Sequence, residues 1–125
     1  MPEKVLIIDD NDKNRLLMVD VLKYQGYEII EATNGEEGIR MAKENRPDLI
    51  LMDIHMPVMD GYKAIKILKD DPATKKIKII AVTSFAMKGD REKALSSGAD
   101  DYIPKPIDTR KLPEIVKRLL RKDVS

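Results

Sequence analysis

Three short apolar runs constrain this chain more than anything else in it: Val5-Leu6-Ile7-Ile8, Leu49-Ile50-Leu51-Met52 and Ile77-Lys78-Ile79-Ile80-Ala81-Val82. None carries a polar residue at every second position, so each suits a strand buried on both faces. Tyr27-Glu28-Ile29-Ile30-Glu31 and Asp101-Tyr102-Ile103 are shorter or more polar, as edge strands are. A sheet with two buried faces needs helices above and below it, and helical patterns fill the intervals.

The first helix spans Asp12 to Tyr24 and sets Leu17, Val21 and Tyr24, with Met18 and Leu22, on one side. Asp12 is better placed than Asp9 or Asp10 to cap it. Asn34 caps a second helix from Gly35 to about Asn45, closed off by Pro47, although Gly38 inside it costs about 1 kcal/mol relative to Ala. A third opens at Asp60 or Gly61, uses Tyr62, Ile65 and Leu68, and ends at Asp71-Pro72. The fourth, short and polar, runs from about Lys88 to Ser97 and stops at Gly98. The last carries the stripe Leu112, Ile115, Val116, Leu119 and Leu120. Pro113 is awkward for a helix capped by Asp108, so its regular part is expected to begin nearer Leu112.

Five strands alternating with five helices predict an α/β fold with a parallel sheet and right-handed crossovers. Covering both faces of so small a sheet calls for a doubly wound arrangement, with the flavodoxin-like strand order 2-1-3-4-5 favoured. The 125 residues suit one domain, with its core over 4–120, and no linker, repeat or block of like charge divides them. Aromatics are only 4% of the chain, so the interior is aliphatic, and six methionines (Met18, Met41, Met52, Met56, Met59, Met87) read as packing residues.

Composition also narrows the function. Lys plus Arg number 23 against 22 for Asp plus Glu, a net charge of +1, which argues against direct nucleic-acid binding. There is no cysteine, so thiol catalysis and zinc-thiolate sites are excluded. No apolar stretch approaches the roughly 18 residues of a membrane helix, and the N-terminus does not open a signal peptide, so a soluble cytoplasmic protein is expected.

The chemistry collects where the strands end. Asp9-Asp10 follow the first, Asp53 the third, Thr83-Ser84 the fourth and Lys105 the fifth. In an open parallel sheet these ends share one edge, the edge where ligands bind. Three crowded carboxylates repel and favour proton uptake unless a cation joins them. Lys105 supplies one positive charge, and an oxygen-only ligand set selects Mg²⁺ for the rest. Such a site suits phosphoryl transfer, with a carboxylate as nucleophile.

These residues carry a resemblance. Val5 to Asn11, Asp48 to Pro57, Met59-Asp60-Gly61, Ala81-Val82-Thr83 and Tyr102 to Pro106 resemble, in order and spacing, a response-regulator receiver domain of two-component signalling over Lys4 to Leu120. Ser84 to Asp90 is similar to receivers of hybrid sensor kinases and of stand-alone cell-cycle regulators. The resemblance implies Asp53 as phosphoacceptor, with Mg²⁺ (Mn²⁺ as a substitute) on Asp10, Asp53 and the backbone carbonyl of His55, and Asp9 acting through metal-bound water. It implies that Thr83 and Lys105 each bind a phosphoryl oxygen, that Tyr102 is a switch residue moving with Thr83, and that Lys105-Pro106 is cis. The His55 side chain is expected on the rim, modulating phosphoryl lifetime at most.

On the residues alone, Thr83 reads equally as a β-branched strand residue, and Tyr102 reads as a half-buried edge aromatic. The implied partners are a sensor histidine kinase or histidine phosphotransfer protein as donor. A downstream protein target would meet the face of the fourth helix, fifth strand and fifth helix, with no output domain attached. Beyond its own phosphorylation and dephosphorylation no enzyme activity is expected. A haloacid-dehalogenase-like phosphatase needs Asp-x-Asp after the first strand, and a flavin carrier needs a phosphate loop there that Asp9-Asp10-Asn11-Asp12 would repel.

Overall fold

A computed structural model describes residues 2–83 and 89–121. The apolar runs form strands β1 (Lys4–Ile8), β3 (Leu49–Asp53) and β4 (Lys78–Thr83), flanked by β2 (Glu28–Ala32) and β5 (Asp101–Pro104). All neighbours pair in parallel, in the order β2-β1-β3-β4-β5. This is the flavodoxin-like order favoured from the sequence. The helices are α1 (Asp12–Lys23), α2 (Gly35–Asn45), α3 (Gly61–Asp70), α4 (Asp90–Ser96) and α5 (Lys111–Arg121).

Successive strand residues point to opposite faces, and the core divides accordingly. Leu6, Ile8, Ile50, Met52, Ile79 and Ala81 pack with residues of α2, α3 and α4, such as Ala42, Ile65 and Ala94. Val5, Ile7, Leu49, Leu51, Ile80 and Val82 pack instead with α1 and α5 through Met18, Leu22, Leu112, Val116 and Leu119. Among the methionines, Met18, Met52 and Met56 are buried, and Met41 and Met59 pack partly buried against the core.

Local details correct several expectations. The cap of α1 is Asn11, whose side chain accepts from the Asn14 amide at 3.0 Å. Asp12 is the first helical residue, where a carboxylate complements the helix dipole and grips Arg15 at 2.6 Å. On α1 only Met18 and Leu22 are buried, while Leu17 is 39% and Tyr24 81% exposed. The helix meets the sheet along a narrower stripe than the apolar pattern suggests. Strand β2 lies one residue later than Tyr27 to Glu31, because Glu28 pairs with Lys4 and Ala32 with Ile8.

Helix α5 begins at Lys111, next to the expected Leu112, and Asp108 closes the turn that leads into it. That side chain accepts from the Arg110 amide at 2.9 Å, and its carbonyl accepts from Lys111 and Leu112. Pro113 then falls in the first turn, where amides have no intrahelical acceptor, so its missing N–H costs nothing there. Gly38 has a packing reason: a Cβ there would lie 2.4 Å from Cδ1 of Ile8. Lys88, the expected start of the fourth helix, lies outside the described residues, as do Ser84 and Met87.

Candidate functional site

The strand register aligns the chemistry. Ile8 pairs with Met52, Asp53 with Val82, and Thr83 with Pro104, so Asp9, Asp53, Thr83 and Lys105 all emerge at the same sheet edge. Asp9 and Asp53 are buried, Asp10 is exposed, and one carboxylate oxygen from each of the three lies within 4.8 Å of the others. Lys105 reaches across them, with Nζ 3.3 Å from Asp53 Oδ1 and 3.5 Å from Asp9 Oδ2. Its own amide donates to the Thr83 carbonyl at 2.7 Å, and the Lys105-Pro106 bond is cis.

Each acid is held by its loop. Asp9 Oδ1 accepts from the Asn11 amide at 2.8 Å. Asp53 Oδ1 accepts from the His55 amide at 3.3 Å. The turn after Asp53 is braced by Ile54 N–H donating to Val82 O and by Gly61 N–H donating to Ile54 O, both at 2.9 Å. Gly61 packs so tightly under this turn that a Cβ would sit 2.5 Å from the Asp53 carbonyl oxygen. The glycine therefore helps position the Asp53 backbone.

The pocket is electrostatically unbalanced. Burial first, and then the neighbouring Asp9 charge, push the Asp53 carboxyl up from its ordinary 3.8 to about 7, against the opposing pull of Lys105 and the His55 amide. Asp9 Oδ2 is buried and accepts no hydrogen bond, since Lys105 Nζ at 3.5 Å is an ionic neighbour only. A buried oxygen in this state carries a desolvation penalty that a cation would relieve. The residues thus fit a hard divalent cation such as Mg²⁺, which takes oxygen ligands and keeps part of its water shell.

His55 and Thr83 show what spacing alone does not reveal. The exposed His55 places Nε2 3.1 Å from Thr83 Oγ1, linking the turn after β3 to the end of β4. This contact depends on a rotamer spanning 28 residues of sequence, and no motif signals it. Tyr102, paired with Ala81 in the sheet, packs half-buried against the core on the α2-α3-α4 side.

A doubly wound parallel sheet thus carries an acidic trio and a lysine at its carboxyl edge. The response regulator receiver domain profile matches residues 5–117, and the chain belongs to that family. It is 46% identical over 120 residues to the polar-differentiation response regulator DivK of Brucella anthropi, covering 96% of this chain and 98% of that protein. A response-regulator structure from Chloroflexus aurantiacus superposes with a TM-score of 0.92 at 32% identity, covering 96% of this chain and 98% of that one. The receiver domain of a Pseudomonas aeruginosa sensor histidine kinase superposes with a TM-score of 0.88 at 33% identity, covering 96% and 98%. That structure has a magnesium ion coordinated in its active-site cleft. The chain is therefore a DivK-like receiver of two-component signalling. No helix among the described residues is long and apolar enough to cross a membrane.

Proposed function

We propose that this receiver accepts a phosphoryl group on Asp53 from a phosphohistidine donor, either a sensor histidine kinase or a histidine phosphotransfer protein. The observation carrying the reading is the Asp53 carboxylate buried at a strand end, with Lys105 3.3 Å from one oxygen and two more carboxylates beside it. An Asp53 oxygen attacks phosphorus, the P–N bond to the donor imidazole breaks, and an aspartyl phosphate forms. Asp10, Asp53 and the His55 carbonyl would hold Mg²⁺, with Asp9 supporting the site beside them. When bound, Mg²⁺ supplies charge neutralisation for the transferred group.

Lys105 pairs with one phosphoryl oxygen and the Thr83 hydroxyl donates to another. To do so, Thr83 exchanges its His55 contact for the phosphoryl group, and Tyr102 follows it inward. The new charge, roughly −1.5 to −2, biases the α4-β5-α5 face toward a downstream protein. Hydrolysis catalysed by the same site resets it. Over its core, residues 4–120, the chain acts as a cytoplasmic receiver domain that makes no direct nucleic-acid contact.

The test is intact mass after incubation with acetyl phosphate, with and without Mg²⁺, beside Asp53→Asn. One phosphoryl addition requiring both Mg²⁺ and Asp53 is expected. Stoichiometric phosphorylation of folded Asp53→Asn would locate the acceptor elsewhere.

A further inference from the structure

The loop carrying Asp9 and Asp10 is gripped from outside the acidic pocket. Arg15, one turn into α1 and with its side chain only 12% exposed, uses all three guanidinium nitrogens on different partners. Nη1 donates to the Asp9 main-chain carbonyl at 2.8 Å, Nη2 to Asp12 Oδ1 at 2.6 Å and Nε to Glu31 Oε1 at 3.0 Å. The first of these bonds matters most. The Asp9 carbonyl belongs to the planar peptide that also contains the amide and Cα of Asp10. Fixing that oxygen fixes the plane from which the Asp10 side chain departs.

Asp9 is meanwhile tied through its other groups. Its amide donates to the Ala32 carbonyl at 3.1 Å, and Oδ1 accepts from Asn11 at 2.8 Å. The Arg15 grip is anchored in turn to β2 through Glu31 and to the first turn of α1 through Asp12. A guanidinium can bind three acceptors in one plane, whereas a lysine ammonium in its place would have neither the fork nor the reach.

We propose that Arg15 is a positioning residue for the metal site, holding the Asp9-Asp10 peptide so that Asp10 meets Mg²⁺ in register with Asp53. This rests on the reading that Asp10 and Asp53 hold Mg²⁺. Charge alone makes the opposite prediction. Removing Arg15 deletes a cation and leaves Asp12 and Glu31 uncompensated, which makes the neighbourhood more negative and favours a divalent cation. A loss of affinity on removal therefore identifies positioning.

The experiment is calorimetric titration of the full chain with MgCl₂ at constant ionic strength, for wild type, Arg15→Lys and Arg15→Ala. Thermal unfolding without metal checks that each variant is folded. Both variants are expected to bind Mg²⁺ about 10-fold more weakly, the lower end of what groups that orient metal ligands contribute. Arg15→Lys keeps the charge and the alkyl stem, so it serves if Arg15→Ala fails to fold. Amide hydrogen exchange at Asp10 and Asn11 in metal-free protein is expected to speed up in Arg15→Lys. Wild-type affinity in Arg15→Lys, or tighter binding in Arg15→Ala, overturns the proposal while leaving the metal site standing. Absence of Mg²⁺ binding by wild type itself overturns the underlying reading along with it.

Discussion

At the scale of single residues, the site is built from groups held in unfavourable states. Asp53 is the clearest: its carboxyl is raised to about 7 by burial and by Asp9. Without metal, the folded chain therefore binds a proton that the unfolded chain, with an ordinary carboxyl near 3.8, releases. Between about pH 4 and pH 7, the Asp53 contribution to stability falls as pH rises, by at most about 1.4 kcal/mol per pH unit. Urea unfolding at pH 5 and pH 8 in chelator should show the metal-free protein more stable at pH 5. The difference should shrink in Asp53→Asn, and an equal difference in that variant would assign the titration to another group. Outside the acidic site, Val58 is also held in an unfavourable state. It is β-branched and 77% exposed, yet has a φ of 73°, in the left-handed region. Such a conformation costs about 1–2 kcal/mol, whereas glycine adds about 0.4–1 kcal/mol of unfolded-state entropy. Val58→Gly should raise stability by up to about 1 kcal/mol in denaturant melts. A decrease would show that the Val58 side chain contributes packing that outweighs its strain.

Elements are joined by contacts that propensity does not anticipate. Gly38 is an unfavourable residue inside α2, but Ile8, fully buried in β1, occupies the space its side chain would need. Gly38→Ala gains about 1 kcal/mol of helix propensity and incurs overpacking of about 1–3 kcal/mol. Net destabilisation on the order of 1 kcal/mol is expected from urea unfolding; a more stable variant would mean that Ile8 can shift freely. Helix α1 shows the reverse, an apolar pattern wider than its buried face. Leu17 and Tyr24 fit the stripe on paper, but Met18 and Leu22 are the residues buried against β1 and β3, with Val19 and Val21 packed partly buried beside them. The helical boundaries themselves were legible: α2 matches its expected span of Gly35–Asn45, because Asn34 caps it and Pro47 follows closely. The cap of α1 was misplaced by one residue. Asn11 and Asp12 are both good caps, and only the turn leaving Asp9 selects between them.

For the whole molecule, the acidic cluster opposes folding unless a cation is present. If Mg²⁺ binds the folded state alone, at 100 times its dissociation constant it should stabilise the protein by about 2.7 kcal/mol. Asp10→Ala should lose most of that increment. Thermal unfolding over a Mg²⁺ series would measure it, and an undiminished increment in Asp10→Ala would remove that residue from the ligand set. The two faces of the sheet divide the remaining work. Helices α1 and α5 close one side, α2, α3 and α4 the other, and every residue of the candidate site stands at the edge between them.

The sequence by itself favoured the strand order, and it determined the fold class and the convergence of Asp9, Asp10, Asp53, Thr83 and Lys105. Each follows from local signals: buried strands read as apolar runs, and parallel strands must end along one edge. The tertiary structure alone decided the contact of His55 with Thr83, the fit of Gly38 against Ile8 and of Gly61 beneath Asp53, and the reach of Arg15 to the Asp9 carbonyl. These depend on side-chain rotamers and on distances between different elements, and neither leaves a periodic trace along the chain.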